Sequence, residues 1–169
     1  FVPAPLDTRR LPTYDYDTIE PFTGGARTAD QSDGWNGAPD RYDWKLLGKR
    51  ELLIGYNSYK LADRTLRYAD IIRAHHLDPD LLRYERHRVW VVEATVKSGV
   101  RHVTPKRTFY LDEDSWSIMV AEDYDAQGKL WKVRESYVIP VHETGSCDNA
   151  AFVQYNVIDG RYLFDQSPL

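Results

Sequence analysis

The side chains of this sequence that could do chemistry are five histidines, one cysteine and a scatter of carboxylates. His75-His76 is the most conspicuous pair. Adjacent positions do not put two imidazoles on one ligating face, and neither His-x-x-x-His nor His-Glu-x-x-His occurs, so no metal and no cofactor are expected. Glu85, His87 and Glu93 fall on one side of a strand and could form an acid/base group. Pairing with Arg or Lys of a neighbouring strand is the plainer role for such charges, and the one we expect. Cys147 stands beside Asp148 and near His142, but in a Gly/Ser/Asn loop it reads as a small residue rather than a nucleophile. Gly24-Gly25 lacks the preceding strand and the following Lys-Ser/Thr of a phosphate loop, so it is a turn. No catalytic set emerges, and the chain is not expected to be an enzyme.

The elements that must position these residues are read from composition and period. At 169 residues the chain matches one domain, and its 42% apolar and 28% charged shares are ordinary for a globular protein. Five Trp, twelve Tyr and five Phe, most of them in alternating segments, favour sheet over helix. A net charge of -4 without any Lys/Arg block excludes the electrostatic footprint of a nucleic-acid binder. One cysteine permits no intrachain disulfide. No apolar run approaches the ~20 residues of a membrane span. The chain opens on Phe1-Val2-Pro3 rather than Met, as a processed or truncated piece would.

Residues 1–42 show neither period and read as a long irregular arm, pinned to the surface by Tyr14, Tyr16, Phe22 and Trp35. Residues 43–82 hold a strand broken by a bulge around Gly48 and Gly55, then two short helices, the second capped at Asp78-Pro79. Residues 83–169 read as an antiparallel meander with a terminal hairpin. Its strands are Tyr84 to Lys97, His102 to Leu111, Trp116 to Tyr124 and Trp131 to Val141, with Val89 to Val92 apolar on both sides. In the fourth strand Trp131, Val133 and Tyr137 oppose Lys132, Arg134 and Ser136, which predicts one apolar and one wet face. A loop over Glu143 to Asn149 leads to a hairpin whose Asp159-Gly160 favours a type I′ turn. The expected fold is mainly β: a curved sheet or half barrel with one or two short helices. Its aromatic face suits a pocket for an apolar ligand as well as it suits a plain core.

Three strings carry a resemblance: Gly25-Ala26-Arg27-Thr28-Ala29-Asp30-Gln31, Asn36-Gly37-Ala38-Pro39-Asp40-Arg41-Tyr42-Asp43-Trp44-Lys45, and Arg83-Tyr84-Glu85-Arg86-His87-Arg88-Val89-Trp90. With Phe109-Tyr110-Leu111-Asp112-Glu113-Asp114-Ser115-Trp116, they resemble the carboxy-terminal part of the family called domain of unknown function 1329. The resemblance implies a bacterial envelope protein, in the periplasm or at the outer-membrane periphery, similar in fold to the Lol lipoprotein carriers. It further implies a lipid, acyl chain or lipoprotein as partner, and a missing amino-terminal half that would supply further wall strands. No catalytic motif comes with the family. On that basis Trp90, Val92, Trp116, Ile118, Val120, Trp131, Val133 and Tyr137, or the opposite face, are the expected apolar lining. The alternative is an interaction module of an envelope transport machine, pairing through a strand edge or the arm.

Overall fold

The structure, a computed structural model, describes residues 19–166. Seven strands follow one another in space as they do in sequence: β1 (Tyr42–Gly55), β2 (Tyr84–Val96), β3 (Lys106–Asp112), β4 (Ile118–Tyr124), β5 (Leu130–Val141), β6 (Ser146–Asn156) and β7 (Tyr162–Gln166). Every neighbouring pair is antiparallel, as turns between consecutive strands require, and only β1 and β2 are joined by a long segment, residues 56–83. The meander and its curvature are as the sequence predicts. Curling brings the end of β1 back to β5, where Gly55 pairs with Tyr137. A Cβ on Gly55 would lie 2.5 Å from Cδ1 of Tyr137, so only glycine permits this closure. The result is an irregular ring rather than a regular barrel.

The two faces follow from the register. The front carries Val89, Val91, Tyr110, Val120, Glu135, Val153 and Phe164; the back carries Trp90, Val92, Phe109, Ala121, Arg134, Gln154 and Leu163. Bulges interrupt the alternation at Leu46/Gly48, Tyr110/Leu111, Asp123/Tyr124 and Tyr137/Val138. Each moves the residues beyond it relative to a strict period of two, which a reading from alternation cannot follow.

Opposite faces have opposite covers. Residues 57–82 lie over the front of β5 to β7. Leu61, Ile71 and Leu77 pack there on Tyr137, Ala151 and Val153 in one buried cluster. The two short helices expected here are a four-residue α1, Tyr68–Ile71, and a 3-10 turn at Pro79–Leu81 with Asp78 accepting from the Asp80 N–H at 3.0 Å. Residues 26–41 lie over the back of β3 to β6. A second apolar cluster, Tyr42, Ala94, Phe109 and Ala121, sits there beneath Trp35. A third, Ile54, Val89, Met119 and Val138, fills the curl.

Four expectations are corrected. Lys132, Arg134 and Ser136 are buried rather than wet, at 3%, 7% and 3% exposure, because the arm lies on them. The loop over Glu143 to Asn149 is largely strand, since β6 starts at Ser146. Trp116 belongs to a turn, at φ 58° and 67% exposure, and β4 begins two residues later. The last hairpin has no type I′ turn: only Gly160 has positive φ, and the Asn156 N–H bonds the Arg161 carbonyl around a four-residue loop. Trp35 anchors the arm as expected, while Tyr14, Tyr16 and the side chain of Phe22 lie outside the described residues.

Candidate functional site

The expected lining residues do not share a face. Trp90, Val92 and Ile118 are on the back, Val120, Val133 and Tyr137 on the front, and Trp131 occupies the β4/β5 bulge between the Asp123/Lys132 and Tyr124/Leu130 pairs. Tyr137 is fully buried under the front cover, and its hydroxyl donates to Glu135 at 2.8 Å. Trp116 is separated from the others in its turn. A choice of side was therefore insufficient; the bulges divide the set.

What the back does bring together is an apolar band along β1 and β2. Leu46 pairs with Val92, which pairs with Phe109, and Trp90 pairs with Leu111 opposite Ile118. Leu46 is 61% exposed and Trp44 41%. Leu47, also exposed, adjoins them at the bulge. The Lys49 ammonium lies 4.2 Å above the Trp90 ring, and the Trp90 indole N–H is buried without a partner among the described residues. Cross-strand contacts thus unite three expected lining residues with Leu46 and Leu111, which sequence reasoning missed. Leu46 was readable as an apolar strand residue, but its exposure depends on the arm stopping short of it.

Beside this band lies a region of different chemistry. The arm contributes Asp30 and Gln31 to a buried network on the back of the sheet. Asp30 receives Arg107 at 2.8 Å and the His102 Nε2 at 3.0 Å, and Asp123 receives Arg134 at 2.9 Å and the Gln31 amide at 2.9 Å. His102 Nδ1 accepts the Thr104 N–H at 2.9 Å, which leaves Nε2 as the donor to Asp30. Burial would raise the Asp30 pKa. The hydrogen bond from His102 and the charge and hydrogen bond of Arg107 outweigh it and hold the carboxyl well below the ordinary range. Burial dominates at Tyr42, whose phenol is pushed up to about 12. The Arg134 guanidinium also donates to the carbonyl of Gly34, tying the arm down at a further point.

The acid/base candidates are reorganised in the same way. Glu93 pairs with Lys106 at 2.8 Å, the cross-strand role expected of it. His87 Nδ1 instead meets Asp112 at 2.9 Å, with Glu85 3.7 Å from its Nε2. Asp112 is buried, and its second oxygen accepts from the Ser115 N–H at 2.9 Å and hydroxyl at 2.7 Å. His87, Asp112 and Asp114 bring ligand-type atoms within 4.8 Å, but Asp112 has both oxygens engaged. Cys147 joins the curl cluster, where its Sγ is 3.4 Å from the Tyr56 hydroxyl; His142 and Asp148 are exposed. His75 and His76 separate, bonding the carbonyls of Gly160 and Leu77 at 2.8 Å each. No helix among the described residues is long and apolar enough to cross a membrane.

The model of a family described as "Protein of unknown function (DUF1329)" matches residues 4–168. The protein PA3922 of Pseudomonas aeruginosa is 47% identical over 155 residues, which are 92% of this chain and 34% of that protein. The chain therefore spans about one third of the length of this curated relative. Among solved structures, a domain from Vibrio parahaemolyticus described as a candidate outer membrane lipoprotein-sorting protein is similar, with TM-score 0.56 and 13% identity. The match covers 90% of this chain and 50% of that one. A DUF1329 family protein from Desulfovibrio piger has the same TM-score, 0.56, with 16% identity over 91% of this chain and 50% of its own. At these identities the two structures share the fold.

Proposed function

The chain belongs to the DUF1329 family, and from that membership we propose that it is a carrier for a lipid, an acyl chain or a lipoprotein in the bacterial envelope, without catalysis. The observation that carries this reading is an apolar band on a curved sheet, with Trp44 and Leu46 exposed beside half-buried Trp90, Val92 and Leu111, in a fold also found in a candidate lipoprotein-sorting domain. Monomeric proteins seldom expose contiguous apolar patches without a function for them. About ten methylenes half-buried on such a band would contribute about 4 kcal/mol before ordering costs, without any covalent chemistry. The periplasm or outer-membrane periphery follows as the site of action.

Native mass spectrometry of protein purified from a Gram-negative host tests this. A co-purifying or added acyl ligand is expected, and it should be lost when Trp90 and Leu46 are both replaced by Ser. A protein that carries no lipid and takes up none from added fatty acid or lysophospholipid would refute the reading.

One observation favours a second reading, an interaction module of an envelope transport machine. β1 runs from Tyr42 to Gly55, and beyond its pairing with β2 its other edge meets only Gly55↔Tyr137 among the described residues. Such an edge can accept a further strand. The arm from residue 26 onward is less suited to that role, because it is already bonded to its own sheet. Retention of a partner strand on a pull-down, abolished by lysines along β1, would favour this reading.

A further inference from the structure

The buried network on the back of the sheet does not balance its charge. Among the described residues its carboxylates are Asp30 and Asp123, and its basic groups are Arg107, Arg134 and Lys132. Asp30 and Asp123 are taken by the two arginines. Lys132, 3% exposed, is left with one hydrogen bond, to the carbonyl of Ala26 at 2.5 Å, and with the face of Trp131 at 4.4 Å. No carboxylate lies within ion-pair distance of its ammonium among the described residues. A buried cation in that condition is costly unless something negative reaches it.

A cavity of about 220 Å³ opens beside it, between the turn at residues 23–26 and the adjoining ends of β5, β6 and β7. Its described lining contains two cations, Lys132 and Arg161, and no Asp or Glu. Several of its donors are uncommitted. Asn156 uses its carbonyl oxygen for the Ile158 N–H at 3.0 Å, so its amide N–H groups are spare. Arg161 engages Asp159 through Nε and Nη2, leaving Nη1. The N–H of Gly25 makes no hydrogen bond within the described chain. Among the side chains an acceptor also stands there: Gln154, 6% exposed, donates its amide to the carbonyl of Ala26, and its Oε1 is buried and unpartnered. Reversing the amide would set oxygen against oxygen, so this orientation is fixed. Because Lys132 and Gln154 share the Ala26 carbonyl, ammonium and amide are no more than about 5 Å apart.

We propose that this cavity is an anion site that takes the phosphate of a polyol phosphate ester, with Lys132 as charge partner and Gln154 Oε1 as acceptor for an adjacent hydroxyl. A phosphate supplies several acceptor oxygens to the convergent donors and the missing negative charge to Lys132. A hydroxyl two or three bonds away supplies the donor that Gln154 lacks. Burial pushes the Lys132 pKa down to about 8, so a bound anion would also restore its proton affinity. The site does not depend on the carrier reading, since it uses a different part of the molecule from the β1–β2 band.

The test is isothermal titration at pH 7 and low salt, in two arms. One uses glycerol 3-phosphate, with glycerol and inorganic phosphate as controls. The other uses phosphatidylcholine vesicles with and without phosphatidylglycerol. Glycerol 3-phosphate is expected to bind at least about tenfold more tightly than inorganic phosphate, and glycerol not at all. Binding of the soluble ester alone assigns the site to a free phosphate ester, and binding of the doped vesicles alone assigns it to a lipid headgroup. In either arm Lys132→Met, which keeps the buried stem, should weaken binding at least about tenfold. Arg161→Gln, on the exposed rim where substitutions cost about 0.5 kcal/mol or less, should weaken it severalfold. Absence of binding in both arms, or binding unchanged in both variants, would overturn the proposal.

Discussion

The two covers of the sheet are attached by opposite means. The front cover, residues 57–82, is held by Leu61, Ile71 and Leu77 in an apolar cluster, whereas the arm on the back is held by Asp30, Gln31 and backbone carbonyls against Arg107, Arg134 and Lys132. Apolar contacts tolerate rearrangement, because any well-filled packing serves them. A buried ionic network tolerates little, since each unpaired member bears the full desolvation cost. The arm docks one large apolar side chain, Trp35, on the back cluster, and the rest of its fixed points are charged or hydrogen-bonded. The contrast predicts that the two covers fail differently.

The largest loss is expected from Asp123→Ala. It would leave Arg134 with only the carbonyls of Gln31 and Gly34, and would take the 3.4 Å carboxylate contact from Arg107. Breaking a buried pair from one side costs about 3–5 kcal/mol, a large share of the stability of one domain. Leu77→Ala on the front cover should cost about 2–4 kcal/mol by cavity formation. Urea unfolding of both variants measures this. Equal loss, or a greater loss for Leu77→Ala, would mean that the ionic network is less tightly coupled than its burial indicates.

Acid and alkali should separate the covers further. The folded-state pKa of Asp30 lies below its unfolded value near 4, so its contribution is present above pH ~4 and is lost as pH falls through that range. Hydrogen exchange should show amides of residues 26–37 losing protection before those of the front cover. At the other end, Lys132 titrates at about 8 in the folded state and near 10.4 unfolded. Between those values the unfolded chain binds more protons, so stability should rise from pH 8 to about 10. Above that the tyrosines reverse it, because unfolded phenols ionise near 10 while Tyr42 is held at about 12. Lys132→Met should flatten the rise. A wild-type profile with no rise would mean that Lys132 is solvated.

These features also mark what the sequence could reveal. The strands, their order, the Asp78-Pro79 cap and the bulge at Gly48 were legible, because period and turn chemistry are local. The site was not, for two physical reasons. The bulge opposite Tyr110/Leu111 puts Ile118 and Val120 on different faces, and nothing in a run of alternating residues marks the extra residue. Burial of Lys132 and Arg134 was equally hidden. Charged residues on one side of a strand look solvated until a segment about a hundred residues earlier in the chain is laid on them, as the bond from Arg134 to Gly34 shows. The same non-locality gave His87 an unforeseen partner in Asp112 from the next strand.

The smallest structural effect should accompany the most informative functional one. Leu46 is 61% exposed on the band that the arm leaves uncovered, so Leu46→Ser should change stability by no more than about 0.5 kcal/mol. If the band holds an acyl chain, the same change removes a contact that becomes buried only on binding. Losing roughly half of a buried leucine there is worth about 1 kcal/mol, or about fivefold in affinity, measurable by competition with a fluorescent fatty acid. Leu163→Ser, on the same back face but at the far edge of the sheet, should leave that affinity unchanged. An affinity unaltered by Leu46→Ser and Trp90→Ser together would move the function from the β1–β2 band to the strand edge, where main-chain pairing is indifferent to these side chains.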